Sequence, residues 1–136
     1  MKILIPSSGP APDRRSVDYV MNIVKTLNAQ LVVLRIASEN ETQAMGEQYL
    51  RPFVETGKNM KVPVKPVISR GDIVTAIIEV AAENSVDLII QGISHGEIVA
   101  EWMNARAMEK TDIPVLIIPK WVSAPVRPSQ NGMYRR

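Results

Sequence analysis

The chain has 136 residues, 46% apolar and 22% charged, with 16 Lys and Arg against 14 Asp and Glu for a formal charge of +2. Length and balance fit one globular domain around a single core and exclude wholesale disorder. Cysteine is absent, which removes disulfides, thiolate zinc sites and thiol catalysis, and no apolar run approaches the ~20 residues of a bilayer span.

Residues 2–6 are an aliphatic run that reads as a strand, and they follow Met1 directly, so no signal peptide is expected. Val17, Val20, Met21, Val24 and Leu27 then make one apolar stripe at helical spacing, with Asp13 or Ser16 as the cap. Residues 30–36 form a second strand. Met45, Tyr49, Phe53 and Gly57 recur every four residues on a second helix, which Pro52 should kink or split. A third strand, 62–69, is interrupted by Pro63 and Pro66. Gly71-Asp72 reads as a turn and N-cap, followed by Val74, Ile77, Ile78, Ala81 and Ala82 on a third helix. Residues 87–91 form a fourth strand. Ile98, Trp102, Ala105 and Glu109, alternating with Val99, Met103 and Met108, mark a fourth helix, and 114–118 a fifth strand.

Strands alternating with helices imply an α/β fold, a doubly wound five-stranded parallel sheet with helices on both faces. Proline cannot donate to a central ladder, so Pro63 and Pro66 in the third strand and Pro114 at the start of the fifth place those strands at the edges. The order is then 3-2-1-4-5. Ligands in open α/β sheets bind outside the carboxyl ends of the strands where the order reverses, which is between strands one and four. The loops there are 7–12 and 92–96.

The first loop offers Ser7, Ser8 and Gly9 after Pro6, able to present backbone N–H groups to an anion, although Pro10 and Pro12 also suit a rigid turn. The second offers Gly92, Ser94, His95 and Gly96 ahead of a helix N-terminus, an arrangement that can hold a phosphate. His95 is the sole histidine, which argues against a His-centred metal site, and it equally suits a loop imidazole bonded to backbone. There is no P-loop, no dinucleotide fingerprint after the first strand and no nucleophile elbow. The aliphatic edge formed by Val115, Leu116, Ile117 and Ile118 is a hazard unless covered; a homodimer through the fifth strand is expected, the alternative being that the tail from Lys120 folds back over it.

Four of the 16 basic residues (Lys120, Arg127, Arg135 and Arg136) and none of the acidic ones fall in 120–136. The body, 1–119, therefore carries 12 basic against 14 acidic residues and is slightly acidic. With aromatics at 4%, it offers no stacking platform for nucleic acid. Residues 120–136 read as a basic, proline-containing extension beyond the domain, either a solvated tail or a partner-binding arm using Trp121 and Tyr134.

Lys2-Ile3-Leu4-Ile5-Pro6, the helix around 17–27, the span from Gly71-Asp72-Ile73 to Val86-Asp87-Leu88-Ile89-Ile90-Gln91-Gly92, the Ser94-His95-Gly96 loop and the closing Ile113-Pro114-Val115-Leu116-Ile117-Ile118-Pro119 together resemble the universal stress protein family. The resemblance covers about 2–119. It implies the same doubly wound fold, of adenine-nucleotide alpha hydrolase-like type, and a dimer through the last strand in many members. In ATP-binding members an Asp two positions after the first strand's Pro addresses adenine; Ser8 stands there. The family's phosphate loop is Gly-x-x-Gly, nine residues, then Gly-Ser/Thr; here Gly92 to Gly96 is one residue longer, and Arg106-Ala107 occupies the place of Gly-Ser/Thr. Arg106 could supply a replacement charge. Ile36 matches an apolar position lining the adenine pocket.

The expectation is a dimeric, cytoplasmic stress-response or regulatory module without catalytic activity that works through an unidentified protein partner. It needs no cofactor and binds ATP weakly or not at all, without nucleic-acid binding or membrane insertion. The alternative is an ATP-binding switch, with magnesium and slow hydrolysis, in the cleft between strands one and four. An adenylate-forming enzyme would require a pyrophosphate loop of which Ser7-Ser8-Gly9-Pro10 is a poor version.

Overall fold

The computed structural model describes residues 1–7, 9, 11–92 and 111–118. In chain order these form β1 (Lys2–Ser7), α1 (Arg14–Thr26), β2 (Gln30–Ala37), α2 (Gln43–Met60), β3 (Val64–Arg70), α3 (Ile73–Glu83), β4 (Leu88–Gly92) and β5 (Val115–Ile118). The strands make one parallel sheet in the order β3-β2-β1-β4-β5, as the proline positions require. The expected fourth helix, and the extension 120–136, lie outside the described residues.

Side chains alternate across the sheet, and two apolar layers result. Ile3, Ile5, Leu31, Val33 and Ile90 pack with Val17, Met21 and Val24 of α1 and Leu50 and Phe53 of α2. Leu4, Val32, Leu34, Ile36 and Ile89 pack with Val74, Ile77, Val80 and Ala81 of α3. Each of these larger aliphatic side chains stabilises the fold by roughly 1.5–3 kcal/mol on burial. β1 and β2 are buried on both faces, which explains their unbroken aliphatic sequences. Sequence and structure agree here on the strands and on which lie at the edges.

Of the two expected caps of α1, Asp13 is the one used, its carboxylate accepting from the Ser16 backbone N–H at 2.8 Å. Other local details differ from expectation. α2 runs continuously through Pro52. Proline forfeits one backbone hydrogen bond there, and the buried Leu50 and Phe53 on either side hold the helix against the sheet. The buried stripe of α2 is also shifted: Gly46, Leu50, Phe53, Thr56 and Gly57 face inward, while Met45 is 43% exposed. The helix approaches β3 through its glycines. A Cβ on Gly57 would lie 2.4 Å from Cγ2 of Val64 and 2.9 Å from the carbonyl oxygen of Val62, so no larger residue fits without moving backbone. On α3 the core residues are Val74, Ala76, Ile77, Val80 and Ala81; Ala82 is exposed and Ile78 half-buried.

Among the described residues no helix is long and apolar enough to cross a membrane. β5 pairs with β4 alone among the described strands, and Leu116 and Ile117 are 44% and 39% exposed on it.

Candidate functional site

β1, β2 and β4 end together at one edge of the sheet, and β1 lies between the other two. This is the point where the strand order reverses. The two sides of the sheet end are built differently.

On the side of α1 and α2 the end of β2 is closed by an ion pair. Arg35 interrupts the aliphatic run of β2 and is 2% exposed; Glu41, in the loop that follows, is 4% exposed. The guanidinium Nε donates to one carboxylate oxygen at 2.9 Å and Nη2 to the other at 2.7 Å. Such a two-pronged pairing is the geometry in which a planar guanidinium best meets a carboxylate. The same guanidinium lies 3.6 Å from the centroid of the Tyr49 ring on α2, a cation–π contact. Its Nη1 donates to the Ser7 hydroxyl at 3.3 Å.

Arg70 at the end of β3 braces the loop from outside, donating from Nη1 to the Ser38 carbonyl at 3.0 Å and from Nη2 to the Glu41 carbonyl. Thr42 then caps α2, accepting from the Met45 N–H at 3.1 Å. The Arg35 hydrogen bond, and after it the Arg35 charge, hold the Glu41 carboxyl below the usual glutamate range against the opposing effect of burial.

On the side of α3 no such ion pair is found among the described residues. Pro6 is buried there at the end of β1 and Ile36 at the end of β2. Ile89 of β4 packs toward α3 and Ile90 toward α1 and α2, so Gln91 returns to the α3 side. Gln91 is 1% exposed, and neither atom of its amide has a hydrogen-bond partner among the described residues. β4 lies between β1 and β5: it pairs with β1 through Leu88 and Ile89, and Gln91 itself is paired with Ile117 of β5. The N-terminus of α3 lies at the same end of the sheet, capped by Asp72, which accepts from the Thr75 N–H at 2.9 Å and its hydroxyl at 2.8 Å.

The sequence-derived candidates are thus divided. Pro6, paired with Leu34, and Ile36, packed toward α3, lie near the ends of β1 and β2, at the end of the sheet where β4 finishes at Gly92. Ser7 faces the other way and is engaged by Arg35, so its hydroxyl serves the ion-pair network. Gly9 follows with φ of +76°, a left-handed conformation that glycine adopts without strain. Ser8, Ser94, His95, Gly96 and Arg106 lie outside the described residues.

Sequence reasoning missed Arg35, Glu41 and Gln91. The signal was present: an arginine inside a strand buried on both faces requires a partner, and a glutamine immediately before Gly92 breaks the apolar pattern of residues 88–90. Among the described residues no cluster of three or more His, Asp or Glu side chains could hold a metal ion.

No family model matches the chain. No curated protein matches it. Solved structures do share its fold. A universal stress protein in complex with cAMP is 22% identical, superposes with a TM-score of 0.64 and is matched over 88% of this chain and 96% of its own. A universal stress protein family protein from Arabidopsis thaliana with AMP bound is 18% identical, with a TM-score of 0.64 over 88% and 91%. The universal stress protein from Archaeoglobus fulgidus in complex with dAMP is 14% identical, with a TM-score of 0.64 over 87% and 97%. The chain therefore has the doubly wound fold of the universal stress proteins.

The ion pair generates a pair of expected outcomes. Because the folded-state pKa of Glu41 is depressed, its contribution to stability is present above the ordinary glutamate pKa and is lost as pH falls through the folded value. Glu41→Gln, which strands a buried guanidinium, should lower unfolding free energy by about 3–5 kcal/mol at neutral pH, whereas Arg35→Met with Glu41→Leu should leave it near wild type. Urea denaturation from pH 7 down to pH 3 checks both: the acid-sensitive component should be missing from the double variant.

Proposed function

We propose that the chain is a non-catalytic, stress-protein-like regulatory module that takes an adenine mononucleotide, weakly, at the carboxyl ends of β1, β2 and β4. The observation that carries this reading is Gln91, a buried amide without a partner among the described residues, at the end of β4 where the strand order reverses. Pro6 and Ile36 are apolar residues near the ends of β1 and β2 at the same end of the sheet, in the fold in which solved proteins hold cAMP, AMP and dAMP. The amide suits the polar edge of a base.

Weak binding and preference for a monophosphate follow from the sequence of the second loop. A tight triphosphate cradle needs glycines where backbone must approach phosphate and a hydroxyl donor beyond them. Arg106-Ala107 stands where the resemblance calls for that glycine and hydroxyl. Ser8 likewise replaces the Asp that would engage the nucleoside. The absence of an acid–base couple in the sequence supports a binding role over hydrolysis.

Isothermal titration of the full chain should show AMP binding with Kd on the order of 100 μM, about −5.5 kcal/mol. ATP with magnesium should bind no more tightly, and no phosphate should be released. Absence of heat with AMP and cAMP at millimolar concentration would overturn the nucleotide reading. ATP turnover abolished by Gln91→Met would overturn the non-catalytic one.

The module is further proposed to act as a homodimer through β5. This strand is at the sheet edge, carries no charge and exposes Leu116 and Ile117, an unprotected edge of the kind that pairs with a second copy. Sedimentation at micromolar concentration should give twice the 15.1 kDa chain mass, and Leu116→Lys with Ile117→Lys should reduce it to one. A wild-type monomer contradicts the proposal.

A further inference from the structure

We infer that Gln91 reads the amino edge of the bound base, so that the side-chain amide, and not a carboxylate from the first loop, distinguishes adenine here. The inference rests on the nucleotide reading above and deepens it. Gln91 is buried to 1% exposure with both its Nε2 and its Oε1 unpartnered among the described residues. A buried donor and a buried acceptor left unmet each oppose folding, and a methionine of similar volume would fill the position without that cost. A group retained in this state awaits a partner that the described residues do not provide.

Among the described residues, the position paired with Gln91 in the sheet is Ile117 of β5, whose side chain is only hydrocarbon. On the other side of β4 lies β1, which carries Pro6, a residue without a backbone N–H, near its end. The strongly polar groups near the sheet end, Arg35, Glu41 and Ser7, are bonded to one another on the opposite side. Burial without a partner is not by itself a ligand signal, since Thr56 Oγ1 on α2 is also unpaired. What sets Gln91 apart is its place at the end of β4, next to β1, where the strand order reverses.

The chemistry of the amide then selects the ligand atoms. A primary amide holds a donor and an acceptor side by side in one plane, and its complement is a heterocycle edge with an acceptor beside a donor. Adenine offers that edge through its 6-amino group and an adjacent ring nitrogen, the match by which Gln and Asn read adenine elsewhere. A single hydroxyl would leave one amide atom unmet.

The test is a cycle of two proteins and two ligands. Wild type and Gln91→Met are titrated with AMP and with purine riboside 5′-monophosphate, which lacks only the 6-amino group. Wild type should bind AMP about 5–30-fold more tightly than the des-amino analogue, the effect of one buried hydrogen bond. Gln91→Met should bind both alike and AMP more weakly than wild type does. Without ligand, it should melt about 2–6 °C higher, because the unmet amide is gone. Should Gln91→Met fold poorly, Gln91→Leu and the wild-type ligand comparison carry the same decision. Equal wild-type affinity for the two ligands, or unchanged AMP binding by the variant, overturns the assignment and points to an internal water or a ribose contact. Failure of wild type to bind AMP at all overturns the nucleotide reading, and the assignment with it.

Discussion

The end of the sheet is organised by one buried interaction, the Arg35–Glu41 pair. An arginine in the middle of a strand covered on both faces could not be tolerated alone, since an unpaired buried charge costs several kcal/mol. Its carboxylate partner comes from the loop only six residues later, and meeting it folds that loop back over the end of β2. The rest follows by connection: Arg70 ties β3 to the loop, Thr42 begins α2 immediately after it, Tyr49 of α2 covers the guanidinium, and Ser7 links β1. Replacement of such pairs by apolar residues is often neutral, so the pair specifies this arrangement more than it stabilises the domain.

That arrangement has a consequence for ligands. One side of the sheet end is filled by charges that satisfy each other, and a ligand there would have to compete with a two-pronged ion pair. The other side holds apolar residues, the Asp72 cap of α3 and an amide that nothing among the described residues satisfies. The same two strands supply both sides, because successive residues point to opposite faces: Ser7 and Arg35 to one, Pro6 and Ile36 to the other. A single step along the chain separates a structural role from a binding role.

Much of this was legible before the coordinates. Prolines at 63, 66 and 114 placed the edge strands, and alternation of strand and helix gave the parallel topology, because both reflect backbone constraints that act locally. The position of the switch point followed from the order alone. The stripe on α2 was less legible: residues spaced by four occur on more than one face of an 18-residue helix, and steric approach through Gly46 and Gly57, not hydrophobicity, decides which face turns inward. The ion pair was legible only as a demand. Arg35 announces a missing partner, but choosing Glu41 over Glu39 depends on loop geometry. Gln91 was hidden for a related reason, since an unmet amide is visible only once its surroundings are known.

The central claim is that the nucleotide binds on the α3 side of the sheet end, against Gln91, and leaves the ion pair untouched. Side-chain NMR tests it directly, since the Gln91 amide and the Arg35 Nε–H give separate resonances that can be followed during one AMP titration. The account predicts that the Gln91 amide shifts with saturation while the Arg35 resonance stays in place. A shift at Arg35 with the Gln91 amide unmoved would contradict it.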